Sequence, residues 1–160
     1  VLSFGRVEAL GATNVLPHSV AIQGTFRSMD ETWRQRARDL ITSLVHSTAE
    51  AHGCEADLEI RQGYPHVHND VHLAAGFKQA AIAYLGADRV HDLDIRMTAE
   101  DFSYFANEIP GCFYRLGTAS PEEGNDHGTH GLHTPTFDVD ENALKIGAGL
   151  MAYAAATVER

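Results

Sequence analysis

Long apolar runs are missing from this 160-residue chain. None approaches the roughly 20 residues that a membrane-spanning helix requires, and the N-terminus has no basic stretch followed by an apolar one. A membrane partner and secretion are therefore not expected. Basic residues are scarce: 12 Lys and Arg stand against 22 Asp and Glu, for a formal net charge of -10. That balance works against nonspecific attraction to a polyanion, so nucleic acid is not an expected partner. Cysteine is limited to Cys54 and Cys112, far apart and outside any CxxC spacing, which points away from a disulfide framework and a zinc knuckle. Free cysteine is among the most buried residue types, so both are expected as buried thiols in a reducing, cytoplasmic compartment. There is no internal repeat and no low-complexity tract. The first residue is Val1 rather than methionine, as in a processed chain or a piece of something longer.

What is present, 44% hydrophobic and 21% charged residues, describes an ordinary globular protein of one domain or two small ones. From Ser19 to Met29 apolar and polar residues alternate, with Val20, Ile22 and Phe26 on one face and Gln23, Thr25 and Arg27 on the other, the period of a half-buried strand. Residues 1–10 read as a weaker strand, turned back through Gly11-Ala12-Thr13-Asn14. Asp30 offers an N-cap to a helix with the stripe Trp33, Ala37, Leu40, Ile41, Leu44, Val45 and Thr48, stopped at Gly53. Glu55 to Ile60 alternates again. The order strand, strand, helix, strand predicts a small antiparallel sheet with one covering helix, like a ferredoxin-like α+β unit without its first strand and helix.

At Gly63-Tyr64-Pro65 the composition changes, and a boundary is expected there, dividing residues 1–65 from 66–160. Leu73, Ala74, Phe77, Ala81, Tyr84 and Leu85 form a helical stripe ending at Gly86. Residues 90–97 read as a short strand, residues 99–107 as a helix stopped before Pro110, and Cys112 to Leu116 as a strand. A loop from Gly117 to Pro135, rich in Gly, His and acidic residues, leads to a helix capped by Asp140. That helix is expected to present Leu144, Ala148, Met151, Ala155 and Val158 on one face.

Chemistry-bearing candidates are few. His133, in Gly131-Leu132-His133-Thr134-Pro135, is an imidazole in a loop, where the backbone can turn it toward an ion whose other ligands come from elsewhere. A lone loop histidine is also simply solvated, as are His127 and His130, whose spacing fits no helical ligand pair. His66 and His68 share a face of an extended segment, as chelating or merely solvated residues. Asn14 and Arg27, on adjacent antiparallel strands, could converge on a carboxylate, the guanidinium through paired hydrogen bonds; separately they read as a turn residue and a solvated cation. Glu100 and Asp101 fit an acid, base or ligand, or first-turn acids at the positive end of a helix.

These segments occur in one order: Asn14-Val15-Leu16-Pro17, Gly24-Thr25-Phe26-Arg27, Gly63-Tyr64-Pro65 with Asn69-Asp70, Ala99-Glu100-Asp101-Phe102, Ile109-Pro110-Gly111, and Leu132-His133-Thr134-Pro135 with Phe137-Asp138. In that order they resemble the C-terminal part of the M20 metallopeptidases, in the amidohydrolase branch of hippurate hydrolases, aminoacylases and auxin-conjugate hydrolases. The resemblance covers essentially the whole chain. It implies a fold in which the latter part of a ferredoxin-like lid, or dimerisation, domain precedes the tail of an α/β zinc-peptidase-like catalytic domain.

The resemblance also implies roles. His133 matches the family's last ligand to a two-metal centre of zinc or manganese. Asn14 and Arg27 match lid positions that hold the substrate carboxylate, in several members across the interface of a homodimer. Glu100 matches an acidic residue beside the active site. The implied reaction is hydrolysis of an N-acyl amino acid or small peptide, with metals lowering the pKa of a water and a glutamate taking its proton. The family's earlier ligands, its Glu-Glu pair and the first strand and helix of its lid have no match here, so the chain alone is expected to be inactive. The rival expectation is a noncatalytic α+β module, either an interaction domain used for dimerisation or a degenerate family member that retains the lid for assembly.

Overall fold

The computed structural model describes residues 1–120, 122 and 125–158. Pro121, Glu123 and Gly124, within the loop expected from Gly117 to Pro135, lie outside the described residues. The fold is α+β, with two strands and four α-helices among the described residues. The chain forms two compact units. One comprises Val1–His66 and Ile95–Asp101; the other comprises Val67–Asp94 and the chain from Phe102 onward.

In the first unit, β1 (Leu2–Glu8) and β2 (Ala21–Phe26) pair antiparallel, from Leu2 opposite Phe26 to Glu8 opposite Ala21. The register shifts between Phe4 and Arg6, so Gly5 is an extra residue on β1. Side chains alternate faces along a strand, and one extra residue resets that alternation. Leu2, Phe4 and Val7 consequently share a face with Ile22 and Phe26, while Ser3, Arg6 and Glu8 share the other with Gln23 and Thr25. On the polar face Arg6 bonds Glu8 at 2.6 Å and Gln23 at 3.4 Å. A Cβ at Gly24 would strike the backbone of Ser3 and the ring of Phe4, so glycine lets the ring cross the neighbouring strand.

The helix α1 (Glu31–Ala51) starts where the sequence predicts, the Asp30 carboxylate accepting from the Trp33 amide at 2.9 Å. It ends at Gly53, whose φ of 68° suits a residue without a Cβ. Three expectations fail in this unit. The helix does not cover the hairpin: the apolar hairpin face is open, Phe4 being 64% exposed. Glu55 to Ile60 is not a ladder strand either. It lies in a segment that returns along α1, where Arg38 donates to Gln62 at 2.8 Å, Arg34 to the Tyr64 carbonyl at 2.7 Å, and Glu31 meets His66 at 3.3 Å. The alternation survives, with Ala56 and Leu58 half-buried, but a strand takes its backbone bonds from a neighbour and none pairs with this one among the described residues. Cys54, expected to be buried, is exposed.

In the second unit, α2 (Val71–Leu85) is capped by Asp70, which accepts from the Leu73 amide at 2.8 Å, and stops at Gly86. A 3₁₀ turn, Ala87–Arg89, follows. The short helix α3 is Phe102–Glu108, and α4 is Asn142–Thr157. Helix α4 packs on α2 through small residues: Ala80, Ala81, Ala143 and Ala154 are buried, with Leu150 only 3% exposed. The Tyr84 and Tyr153 rings lie 5.5 Å apart, and Tyr84 occupies the space a Cβ at Gly149 would need.

Here too the outcome differs from expectation in places. The stripe expected on α4 faces outward, with Leu144 62% and Met151 54% exposed. Alanine and glycine occur on every side of that helix, so hydrophobic period alone could not select the packed face. Asp140 does bond the start of the helix, accepting from the Asn142 amide at 2.9 Å. Residues 90–97 and 112–116 form no ladder. For the latter the physical reason is visible, because the Asn69 amide takes a neighbouring strand's place: it donates to the Phe113 carbonyl at 2.9 Å and accepts from the Phe113 N–H at 2.8 Å. Phe77 stacks on Tyr114 at 4.4 Å beside it.

Candidate functional site

Asn14, Arg27 and Glu100 belong to the first unit and His133 to the second. Asn14 sits in a tight turn closed by the Val15 amide donating to the Ala12 carbonyl at 3.1 Å. Glycine is needed there, since a Cβ on Gly11 would approach the Val15 carbonyl to 2.8 Å. The loop carrying Asn14 leaves the ladder at its Glu8–Ala21 end, whereas Arg27 pairs with Val1 beyond the other end. The six residue steps from Ala21 to Arg27 span about 20 Å of extended chain. The ladder of one chain therefore does not itself bring the amide and the guanidinium together. Arg27 instead donates to the backbone carbonyl of Met97. Glu100 is half-buried, two residues ahead of α3, rather than in its first turn.

His133 lies in an exposed loop and has a φ of 64°, the only positive φ among the described residues other than glycine. The left-handed region costs an L-residue about 1–2 kcal/mol, so the surrounding loop must hold it there. That loop has few apolar contacts to do so and uses hydrogen bonds. The Asp140 amide donates to the Thr118 carbonyl at 2.9 Å, and the Ser120 amide to the His127 carbonyl at 2.9 Å. His130 Nδ1 donates to the Thr136 carbonyl at 2.7 Å. A carbonyl only accepts, so Nδ1 is the donor in this contact. The Thr134 hydroxyl donates to the Gly131 carbonyl at 2.8 Å.

His127 Nδ1 and Asp138 Oδ2 form the loop's ion pair, and Asp138 Oδ1 also accepts from the Val139 amide at 2.7 Å. The hydrogen bond to Asp138 raises the His127 pKa, assisted by its charge and by Asp126 and Asp140. The same bond, followed by the Val139 amide, lowers that of Asp138. The carboxylate's contribution is present above its ordinary pKa near about 4 and fades as pH falls through the lowered value. The imidazolium's is present below about 6.5 and fades as pH rises through the raised one, so the pair is strongest between those limits. Both groups are solvent-exposed, so its effect is screened and local. Sequence reasoning did not find this pair; an eleven-residue separation across a glycine-rich loop carries no periodic signal.

No group of three His, Cys, Asp or Glu among the described residues is placed to hold a metal ion. His66 is paired with Glu31. The donors among the described residues do not assemble a two-metal centre. Burial raises the pKa of the half-buried thiol of Cys112.

Residues 5–157 match the model of peptidase family M20/M25/M40. The chain is 28% identical over 151 residues to the N-acetyldiaminopimelate deacetylase of a Geobacillus species, covering 94% of this chain and 38% of the relative. It is 31% identical over 158 residues to IAA-amino acid hydrolase ILR1-like 2 of Arabidopsis thaliana, covering 95% of this chain and 34% of the relative. The crystal structure of the Bacillus subtilis YXEP protein, a dinuclear metal binding peptidase from the M20 family, superimposes with a TM-score of 0.69 at 27% identity, covering 97% of this chain and 41% of that one. The chain thus spans less than half the length of the relatives it matches.

Proposed function

This chain belongs to peptidase family M20/M25/M40, and on that premise we propose that its whole protein hydrolyses the amide bond of N-acyl amino acids or small peptides with the help of two divalent metal ions, zinc or manganese. The observation that carries this reading is the match over nearly the whole chain to two relatives, one named for removing an acetyl group from diaminopimelate and one for hydrolysing an amino acid conjugate. An acyl group on an amino acid nitrogen is the chemistry these share. Metal ions in such a centre supply an activated water at neutral pH; His133 would be one ligand. Residues 1–65 are assigned to the lid and 66–160 to the tail of the catalytic domain.

Asn14 and Arg27 are assigned to the substrate carboxylate, with Glu100 beside the active site. Because the ladder separates Asn14 from Arg27, the reading that fits is a homodimer in which each subunit's lid supplies one of the two. The open apolar hairpin face, Leu2, Phe4, Val7 and Ile22, supports a surface that another chain covers. No helix among the described residues is long and apolar enough to cross a membrane. The free thiols of Cys54 and Cys112 support a reducing, cytoplasmic compartment.

Release of free amino acid from N-acetyl and N-benzoyl amino acids tests the reaction. The whole protein is expected to release it and residues 1–160 alone are not. A whole protein that cleaves none of them in zinc or manganese would favour the noncatalytic dimerisation module. Isothermal titration of residues 1–160 with zinc is expected to show weak binding; submicromolar, stoichiometric binding lost in His133→Ala would overturn the assignment of a single ligand.

A further inference from the structure

We propose that His127 and Asp138 are positioning residues for His133, their pair being the third rung, counted outward, of four nested polar contacts that hold the histidine backbone in its left-handed conformation. The nesting is explicit in the sequence numbers. Gly131 to Thr134 closes inside His130 to Thr136, which closes inside His127 to Asp138, which closes inside Thr118 to Asp140. His133 lies within the innermost turn.

Each rung shortens the chain that the next must close, and the entropy of closure falls with loop length. In a loop this exposed there is little packing to substitute for a missing rung. The pair is also anchored at both ends. The Asp138 carboxylate is held on its second oxygen by the Val139 amide, three residues before α4, and the His127 backbone is held by Ser120 and Asn125. Gly128, at φ 75°, follows His127 where the backbone of Thr118 fills the space a Cβ would need. Loss of the pair frees both strands of the loop between its outermost rung and the His130 contact. The significance for catalysis rests on the reading of His133 as a metal ligand; the mechanical role does not.

Nuclear magnetic resonance of the full chain, without metal, tests the role. In Asp138→Asn and in His127→Ala, the heteronuclear NOEs of the Gly131, Leu132 and His133 amides are expected to fall, with those of α2 and α4 unchanged. His127→Gln, which keeps a side-chain donor, is expected to recover part of the loss. In Asp138→Asn the His127 pKa is expected to drop toward about 6.5. A His127 pKa that drops while the His133 amide keeps its NOE and chemical shift in both variants would overturn the proposal, because the pair would then exist without positioning anything. Should Asp138→Asn disturb the α4 signals, the exposed His127→Ala carries the test alone. Metal content of the whole protein separates the two ideas: full loading in His133→Ala removes the ligand reading and leaves the nested loop standing.

Discussion

Apolar side chains are sorted by size between the hairpin of the first unit and the helix pair of the second. Between α2 and α4, alanine and glycine let two backbones approach, and the buried residues are Ala80, Ala81, Ala143, Leu150 and Ala154. On the hairpin, Leu2, Phe4, Val7 and Ile22 are gathered on one face and left open, and Leu144 and Met151 on the outer side of α4 are left open in the same way. Small residues make the contacts within the chain, while many larger ones point away from it. Side chains of that size stabilise a structure only where something covers them, at about 25 cal/mol for each Å² removed from water. The inner contacts therefore define each unit, and the outer faces are left open.

Three substitutions sharpen or break this contrast. Leu150→Ala, which empties the one large buried position between α2 and α4, is expected to destabilise the full chain by about 3 kcal/mol, read as a lower urea midpoint. An unchanged midpoint would show that the helix contact is not what holds the second unit. Asn69→Ala leaves the Phe113 N–H and carbonyl without their partner in a half-buried segment, and about 2 kcal/mol is expected by the same measurement. A loss as small as that of an ordinary surface change would mean water replaces the amide. Phe4→Thr is expected to move the midpoint by less than about 0.5 kcal/mol, yet to lower the weight-average mass of the whole protein in sedimentation equilibrium. A large loss of stability without a change in mass would show that the hairpin face is covered within its own chain.

The helices were legible because their signals are local. Asp30 caps the helix it was expected to cap, and Gly53 and Gly86 end theirs as expected; the Asp70 cap of α2 was not anticipated. Expectations failed where the answer depended on a neighbour. Residues 55–60, 90–97 and 112–116 carry the composition of strands, but a ladder requires a second strand in register, and the described chain supplies none to them. The packed side of α4 was illegible for a different reason, since Leu144 and Leu150 are equally apolar, yet one is exposed and the other buried. His133 was legible as a candidate from its loop and motif. Its left-handed backbone and the contact of His127 with Asp138 depend on loop geometry that residue types do not encode one at a time.

The extra residue at Gly5 has a consequence for how chains of this family are compared. Side chains before and after it follow opposite parities, so an alignment that slides β1 past β2 by one position, or closes a gap at Gly5 for economy, exchanges Val7 with Arg6 or Glu8 on the open face. The number of identical residues would hardly change. Judgements about which relatives share an association surface would be reversed, and the placement of that single gap is the detail to check first.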